Sequence, residues 1–305
     1  MPVHALPLSR RSFLTGTVAG TASLAMLQPT WAADSANNPN FLALLSDTHI
    51  PNTPDVTARD TNMTRNLKQV VRELVALKSK PAGVIINGDC AYLKGLAEDY
   101  ANLANCVAPI VESGLPLHLT MGNHDDRSPL YAALAGQKPE RPLVDSKHVS
   151  VLETPHANLF LLDTLTEVNV VTGKLGSAQR QWLAQALDAH ADKPAIIVAH
   201  HNPQFAPPAE GARWTGMQDT AEFFDLITSR QQVKAYIFGH SHNWSVTKSG
   251  DLHLINLPPV AYVFGEGKPN GWVQAELHTD GVSLQLHTIS AAHPQNGEQV
   301  HLAWR

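Results

Sequence analysis

Five times between residues 41 and 242, an apolar run ends directly in side chains that bind protons or cations. FLALL runs into Ser46-Asp47-Thr48-His49, GVIIN into Gly88-Asp89, and LPLHLT into Met121-Gly122-Asn123-His124-Asp125. AIIVA runs into His200-His201, and KAYIF into Gly239-His240-Ser241-His242. Runs this apolar fit strands of a sheet covered on both faces, where both sets of side chains are buried. A strand that ends in imidazoles and carboxylates must solvate them or give them something to bind. Each motif alone is weak, because an isolated His at a strand end is more often a hydrogen-bonded structural residue than a ligand. Five in chain order, all at the strand ends where open α/β sheets present their ligand groups, point to one site.

The stretches between the runs supply the rest of an α/β pattern. Expected strands cover 41–46, 83–87, 115–120, 149–152, 159–162, 195–199, 234–238 and 252–257. Expected helices cover 63–78, 96–111, 177–190 and 220–229; in the first, Met63, Leu67, Val70, Val71, Leu74 and Leu77 fall at three- and four-residue spacing and make one apolar stripe. Further on, GWVQAELHTDGVSLQLHTI alternates apolar and polar residues around Asp280-Gly281, the pattern of a tight hairpin, so the later sheet is expected to be partly antiparallel.

The first 32 residues read differently from the remainder. Arg10 and Arg11 precede an uncharged apolar stretch that closes on the small residues Ala32 and Ala33, a signal-peptide profile. Ser9, Arg10, Arg11, Ser12, Phe13 and Leu14 resemble a twin-arginine export signal. Residues 1–32 are therefore expected to be an export signal, 33–40 a linker and 41–305 a single domain, with the product periplasmic or secreted and the export machinery as a partner. A membrane anchor is not expected, because the apolar stretch 13–27 is short of the roughly 20 residues that cross a bilayer. Removal of 1–32 leaves 20 Lys+Arg against 27 Asp+Glu, near −7, which argues against nucleic-acid polymers as ligands. The two cysteines, Cys90 and Cys106, require no disulfide framework, and the sequence leaves the oligomeric state open.

So many carboxylate and imidazole groups exceed what one catalytic metal uses, since such a site takes three protein ligands and an open position. Two cations are expected, bridged by a carboxylate. The five motifs, in this order, resemble the calcineurin-like metallophosphoesterase family over residues 41–245. That resemblance implies two packed mixed β-sheets flanked by helices, an α/β/β/α sandwich. It also implies a first metal held by Asp47, His49, Asp89 and His242, and a second by Asp89, Asn123, His200 and His240. The metals would be iron, manganese, zinc or cobalt, and would deliver a hydroxide to a small phosphoester. His124 would assist the leaving oxygen, oriented by Asp125.

The longer match GNHDDR resembles the subgroup of cyclic-nucleotide and glycerophosphodiester phosphodiesterases, so diesters are favoured over monoesters. Phosphomonoesters, nucleotide pyrophosphate bonds and a non-catalytic metal-binding scaffold are the alternatives. Arg127 is expected either to meet a substrate phosphate or to pair with Asp126 or a helix C-terminus, and His201 either to contact substrate or to pack. Trp214 and Trp244 are read as rings covering the core rim, with stacking on a substrate ring as the alternative. Tyr92, at the spacing of the tyrosinate in purple acid phosphatases, is read as a packed ring because His49 is present.

Overall fold

The structure, a computed structural model, describes residues 37–304. The expected export signal lies outside them. Two six-stranded sheets make up the body. In the first, the order is β14 (Gln299–Ala303), β13 (Gly281–Thr288), β12 (Gly271–His278), β1 (Asn37–Leu45), β4 (Lys80–Asn87) and β5 (Leu117–Thr120). In the second, it is β10 (Ser245–Ser249), β11 (Leu252–Asn256), β9 (Val233–Phe238), β8 (Ala195–Val198), β7 (Asn158–Leu161) and β6 (Ser150–Glu153). Both sheets are mixed: β1, β4 and β5 run parallel, as do β7, β8, β9 and β11, while the remaining pairings are antiparallel.

Strand alternation sorts the apolar runs into three cores. Leu42, Leu44 and Ile85 of the first sheet meet Leu159, Leu161, Ile196 and Val198 of the second, between the sheets. Their neighbours Ala43, Leu45, Val84 and Ile86 face outward onto helices α1 (Met63–Ala76) and α2 (Ala97–Glu112). Phe160, Ile197 and Tyr236 face the opposite way, onto α4 (Ser177–Ala189) and α5 (Thr220–Thr228). This is the expected α/β/β/α sandwich, and it explains why the runs show no polar face: both sides of each central strand are covered. Helix α1 buries the expected stripe and starts where Asn62 caps it, its side chain accepting from the Arg65 N–H at 2.7 Å.

Three differences from the sequence reading have plain causes. Strand β1 begins at Asn37, inside the stretch expected to be a linker, because Asn37 and Asn38 pair with Lys80 and Pro81 before a bulge leads to Leu42. The hairpin turn is Thr279-Asp280: Gly281 already belongs to the strand, paired with His278 and Ala303, and is glycine because a Cβ there would overlap the Leu302 carbonyl of β14. Strands β10 and β14 and the short helix α3 (Arg127–Ala133) gave no long apolar run, the strands being short sheet edges whose residues are mostly exposed or half-buried. A two-residue loop, Arg59-Asp60, joins the short strands β2 (Thr57–Ala58) and β3 (Thr61–Asn62) into a hairpin ahead of α1. Cys90 and Cys106 are both buried free thiols.

Candidate metal centre

The five motifs converge at one edge of the sandwich, where both sheets end. Asn87 ties the sheets together there. Its Nδ2 donates to the Ala199 carbonyl at 3.0 Å, its Oδ1 accepts from Thr120 Oγ1 at 2.7 Å, and its own carbonyl accepts from Ser46 Oγ at 2.9 Å. The backbone leaving these strands is bent into unusual conformations. Asp47, His49, Asp89, His240 and His242 all have φ between 45° and 65°, the left-handed region that side chains with a Cβ disfavour. Such strain persists only where the surroundings over-determine it, as at ligand sites. Gly122 supplies space at this edge rather than a positive φ, since a Cβ there would overlap the Asp89 carboxylate.

Three groups of potential ligand atoms result among the described residues, each within 4.8 Å: Asp47, His49 and His242 in a first, Asp89, His200 and His240 in a second, and His49, Asp89 and His124 in a third that shares a residue with each of the others. The Asp89 Oδ2 lies 3.2 Å from His200 Nε2 and 3.7 Å from His49 Nε2, so one oxygen faces both the first and the second group. Its Oδ1 accepts the His124 backbone N–H at 2.9 Å. Each ligand imidazole spends its other nitrogen on a backbone carbonyl. His49 Nδ1 donates to Tyr92, His200 Nδ1 to Asn87, and His242 Nδ1 to Tyr262, at 3.3, 2.8 and 2.6 Å. His240 is reversed: its Nε2 donates to the Thr215 carbonyl at 2.9 Å and its Nδ1 faces the site. These outer bonds fix tautomers and aim lone pairs inward, the arrangement that metal-binding histidines take.

The donor set fits cations. His49 Nε2 and His242 Nε2 are 2.9 Å apart although both present lone pairs, a repulsive contact that a bound cation relieves. Asn123 Oδ1 and His240 Nδ1 are buried without a hydrogen-bond partner, which is costly for polar atoms that bind nothing. Burial pushes Asp89 up, but the His200 charge outweighs it and holds the carboxyl well below the usual range; Asp47 is lowered likewise against burial by His242 and His200. Burial pushes the His49 and His240 imidazoles down to about 4, the neutral form that ligates. His200 is raised to about 10, Asp89 and Asp47 outweighing its burial, so a metal there must displace a proton.

One expected partnership is not formed, and the two positions left open, Arg127 and His201, turn away from substrate. Asp125 does not orient His124: it is fully buried and accepts from the backbone N–H groups of Cys90, Ala91 and Gly122 and from the Tyr100 hydroxyl, all at 2.9–3.2 Å. Burial and the nearby Asp89 raise its carboxyl to about 6. The Leu93 carbonyl holds His124 instead, taking its Nδ1–H at 2.8 Å and leaving Nε2 for the site. Arg127 faces neither Asp126 nor the centre. Its guanidinium is bidentate on the buried Asp163, with both bonds at 2.7 Å. His201 has no exposure to substrate: it packs behind the ligands, ring centroids 4.7 Å from His240 and 5.1 Å from His200, with Nδ1 on Thr164 Oγ1 at 2.7 Å.

Trp244 is buried between the sheets, and Tyr92 packs against the first core. The sequence reading missed Tyr262 as a site residue; it stacks on His49 at 5.2 Å and lies 5.0 Å from His242, and Phe264 stacks on His242 at 4.2 Å. In the sequence, only their aromatic type in PPVAYVFGEG hints at this.

The family model described as Calcineurin-like phosphoesterase matches residues 42–244. The chain belongs to this family. The metallophosphoesterase relatives include the 3′,5′-cyclic adenosine monophosphate phosphodiesterase CpdA of Pseudomonas aeruginosa, 24% identical over 79% of this chain and 86% of that protein. A 3′,5′-cyclic-nucleotide phosphodiesterase of Nostoc is 24% identical over 78% of this chain and 85% of that one. Among solved structures, a dimetal phosphatase from Danio rerio superposes with a TM-score of 0.66 at 16% identity, covering 87% of this chain and 99% of that chain. The metallophosphoesterase fold thus carries candidate ligand clusters for the dinuclear metal site that the family binds.

Proposed function

We propose that this metallophosphoesterase hydrolyses phosphodiesters at a two-metal centre, with 3′,5′-cyclic nucleotides as its substrate class. The observation that carries the reading is the Asp89 Oδ2 position between the first and second ligand groups. Asp47, His49, His242 and Asp89 would hold one ion, and Asp89, Asn123, His200 and His240 the other. Two divalent cations so placed supply Lewis-acid polarisation of the phosphoryl group and a strong oxygen nucleophile at neutral pH. The nitrogen and oxygen donor set suits iron, manganese, zinc or cobalt.

His124 stands beside the first group, its ring 5.3 Å from that of His49. With Nδ1–H held by Leu93, its Nε2 carries the exchangeable proton and delivers it to the departing alkoxide, the general-acid role. Asp125 acts on the backbone: by gathering the amides of Cys90, Ala91 and Gly122 it fixes the loops that carry Asp89 and Asn123. The names of the cyclic-nucleotide phosphodiesterase relatives support a diester substrate.

The test is turnover of cAMP, cGMP, bis(p-nitrophenyl) phosphate and p-nitrophenyl phosphate by the Mn²⁺- or Zn²⁺-loaded protein, with Asp89→Asn as control. Faster diester turnover, lost in the control, supports the reading; faster monoester turnover sinks it. Export is part of the same proposal and rests on Arg10, Arg11 and the apolar stretch after them. A reporter fused to residues 1–36 should leave the cytoplasm, and Arg10→Lys with Arg11→Lys should retain it.

A further inference from the structure

Beside the first ligand group an arginine lies over the two aromatic rings. Arg59 sits at the tip of the β2–β3 hairpin, where it and Asp60 have φ of 49° and 59°. Two successive left-handed residues make the loop a type I′ turn, whose twist matches its strands, so the tip is well defined. The guanidinium carbon lies 5.0 Å from the Phe264 ring centre and 5.9 Å from that of Tyr262, within cation–π range. Those rings in turn stack on His242 and His49.

Among the described residues, Arg59 has no hydrogen-bonding or ion-pair partner for its guanidinium, in contrast to Arg127, Arg180 and Arg230, each of which is paired with an aspartate. Its N–H fork is thus positioned by ring stacking and left open at the edge of a phosphoester site. Exposed apolar side chains stand on the segments that hold the site: Phe264, beside Arg59, is 56% exposed and Leu93, whose carbonyl holds His124, is 41% exposed. Val170 follows Asn169, which donates to the Asn123 carbonyl, and is 38% exposed. An open guanidinium held on an exposed aromatic ring suits a flat ring that offers paired acceptors on one edge.

Resting on the phosphodiesterase reading, we propose that Arg59 is a specificity residue that reads the base of a cyclic purine nucleotide, favouring guanine. Guanine presents O6 and N7 as adjacent acceptors that match the guanidinium fork, whereas adenine presents N7 beside a donor. Phe264 positions the fork. Lysine, a point charge on a flexible stem, does not reproduce it.

The test compares wild type, Arg59→Ala, Arg59→Lys and Phe264→Leu on cGMP, cAMP, a dinucleotide pyrophosphate and bis(p-nitrophenyl) phosphate, which has only weak nitro acceptors beyond its phosphoryl group. Arg59→Ala should lower the ratio of kcat/KM on cGMP to that on bis(p-nitrophenyl) phosphate by about 10- to 100-fold, mainly through KM. The loss on cAMP should be smaller, Arg59→Lys should not rescue cGMP, and Phe264→Leu should shift the ratio in the same direction. Equal losses on all four substrates, or loss confined to the pyrophosphate, overturn the assignment. Calorimetric binding of a hydrolysis-resistant phosphorothioate analogue of cGMP by the metal-loaded wild type and Arg59→Ala reads the same residue without turnover. Equal affinity overturns the assignment even if the phosphodiesterase reading fails, and that failure would appear separately as no wild-type hydrolysis of any diester.

Discussion

The strand ends that carry the candidate metal centre and the β12–β13–β14 meander belong to one sandwich and are built on opposite terms. At the metal edge, five ligand residues lie in left-handed backbone and polar atoms are buried without partners. In the meander, paired register runs unbroken from Gly271 to His278 against Thr288 to Gly281, and no non-glycine residue has positive φ. The meander follows local preference throughout, and its side chains Val273, Leu284 and Leu286 fill the core between the sheets. The comparison teaches that the strained edge is held by its neighbours rather than by its own conformational preferences. Asp125, Asn87 and the buried sheet ends impose a backbone that the ligand residues would not choose alone.

Substitutions sharpen that contrast. The largest expected effect is at the shared carboxylate: Asp89→Ala should lower kcat/KM on a diester by at least about 10³-fold and reduce the metal content per chain, read by elemental analysis. An intact metal count with near-normal turnover would remove Asp89 from its assigned place. In the meander, Leu284→Ala should cost about 2–5 kcal/mol in denaturant unfolding, because it opens a void between the sheets, with little change in kcat for the folded fraction. His124→Ala should lower kcat by about 10²-fold while leaving the metal content unchanged, separating proton delivery from ligation. The smallest effect tests strain away from the site. Ser146, exposed with φ of 60°, should gain roughly 0.5–1 kcal/mol on Ser146→Gly, visible as a small rise in Tm. A gain of that size at Asp89→Gly would contradict the view that its ligand role outweighs its backbone strain.

The sequence showed the central strands because burial on both faces leaves nothing but apolar residues, and it showed the ligand types because they follow those strands directly. What it could not show were bonds to backbone atoms and distant side chains. The carbonyls of Tyr92, Asn87, Thr215 and Tyr262 orient the four imidazoles, yet a carbonyl belongs to every residue and leaves no trace in a sequence. Asp125 follows His124 in sequence, yet it binds amides at positions 90, 91 and 122. Arg127 finds Asp163, 36 residues away. Tyr262 and Phe264 reach the ligands only after β11 has paired beside β9.

The two free cysteines give the molecule an internal clock. Cys90 lies beneath the metal edge, its amide held by Asp125, and Cys106 lies in α2; burial, with Asp125 and Asp89 adding to it at Cys90, drives that thiol well above its ordinary range and pushes Cys106 up to about 11. Neither sulfur reacts until the helix-covered face of the first sheet opens, and reaction with an alkylating probe then records each opening irreversibly. Labelling rates with and without bound cations would therefore time how firmly the metal edge fastens that face, residue by residue, without any added reporter.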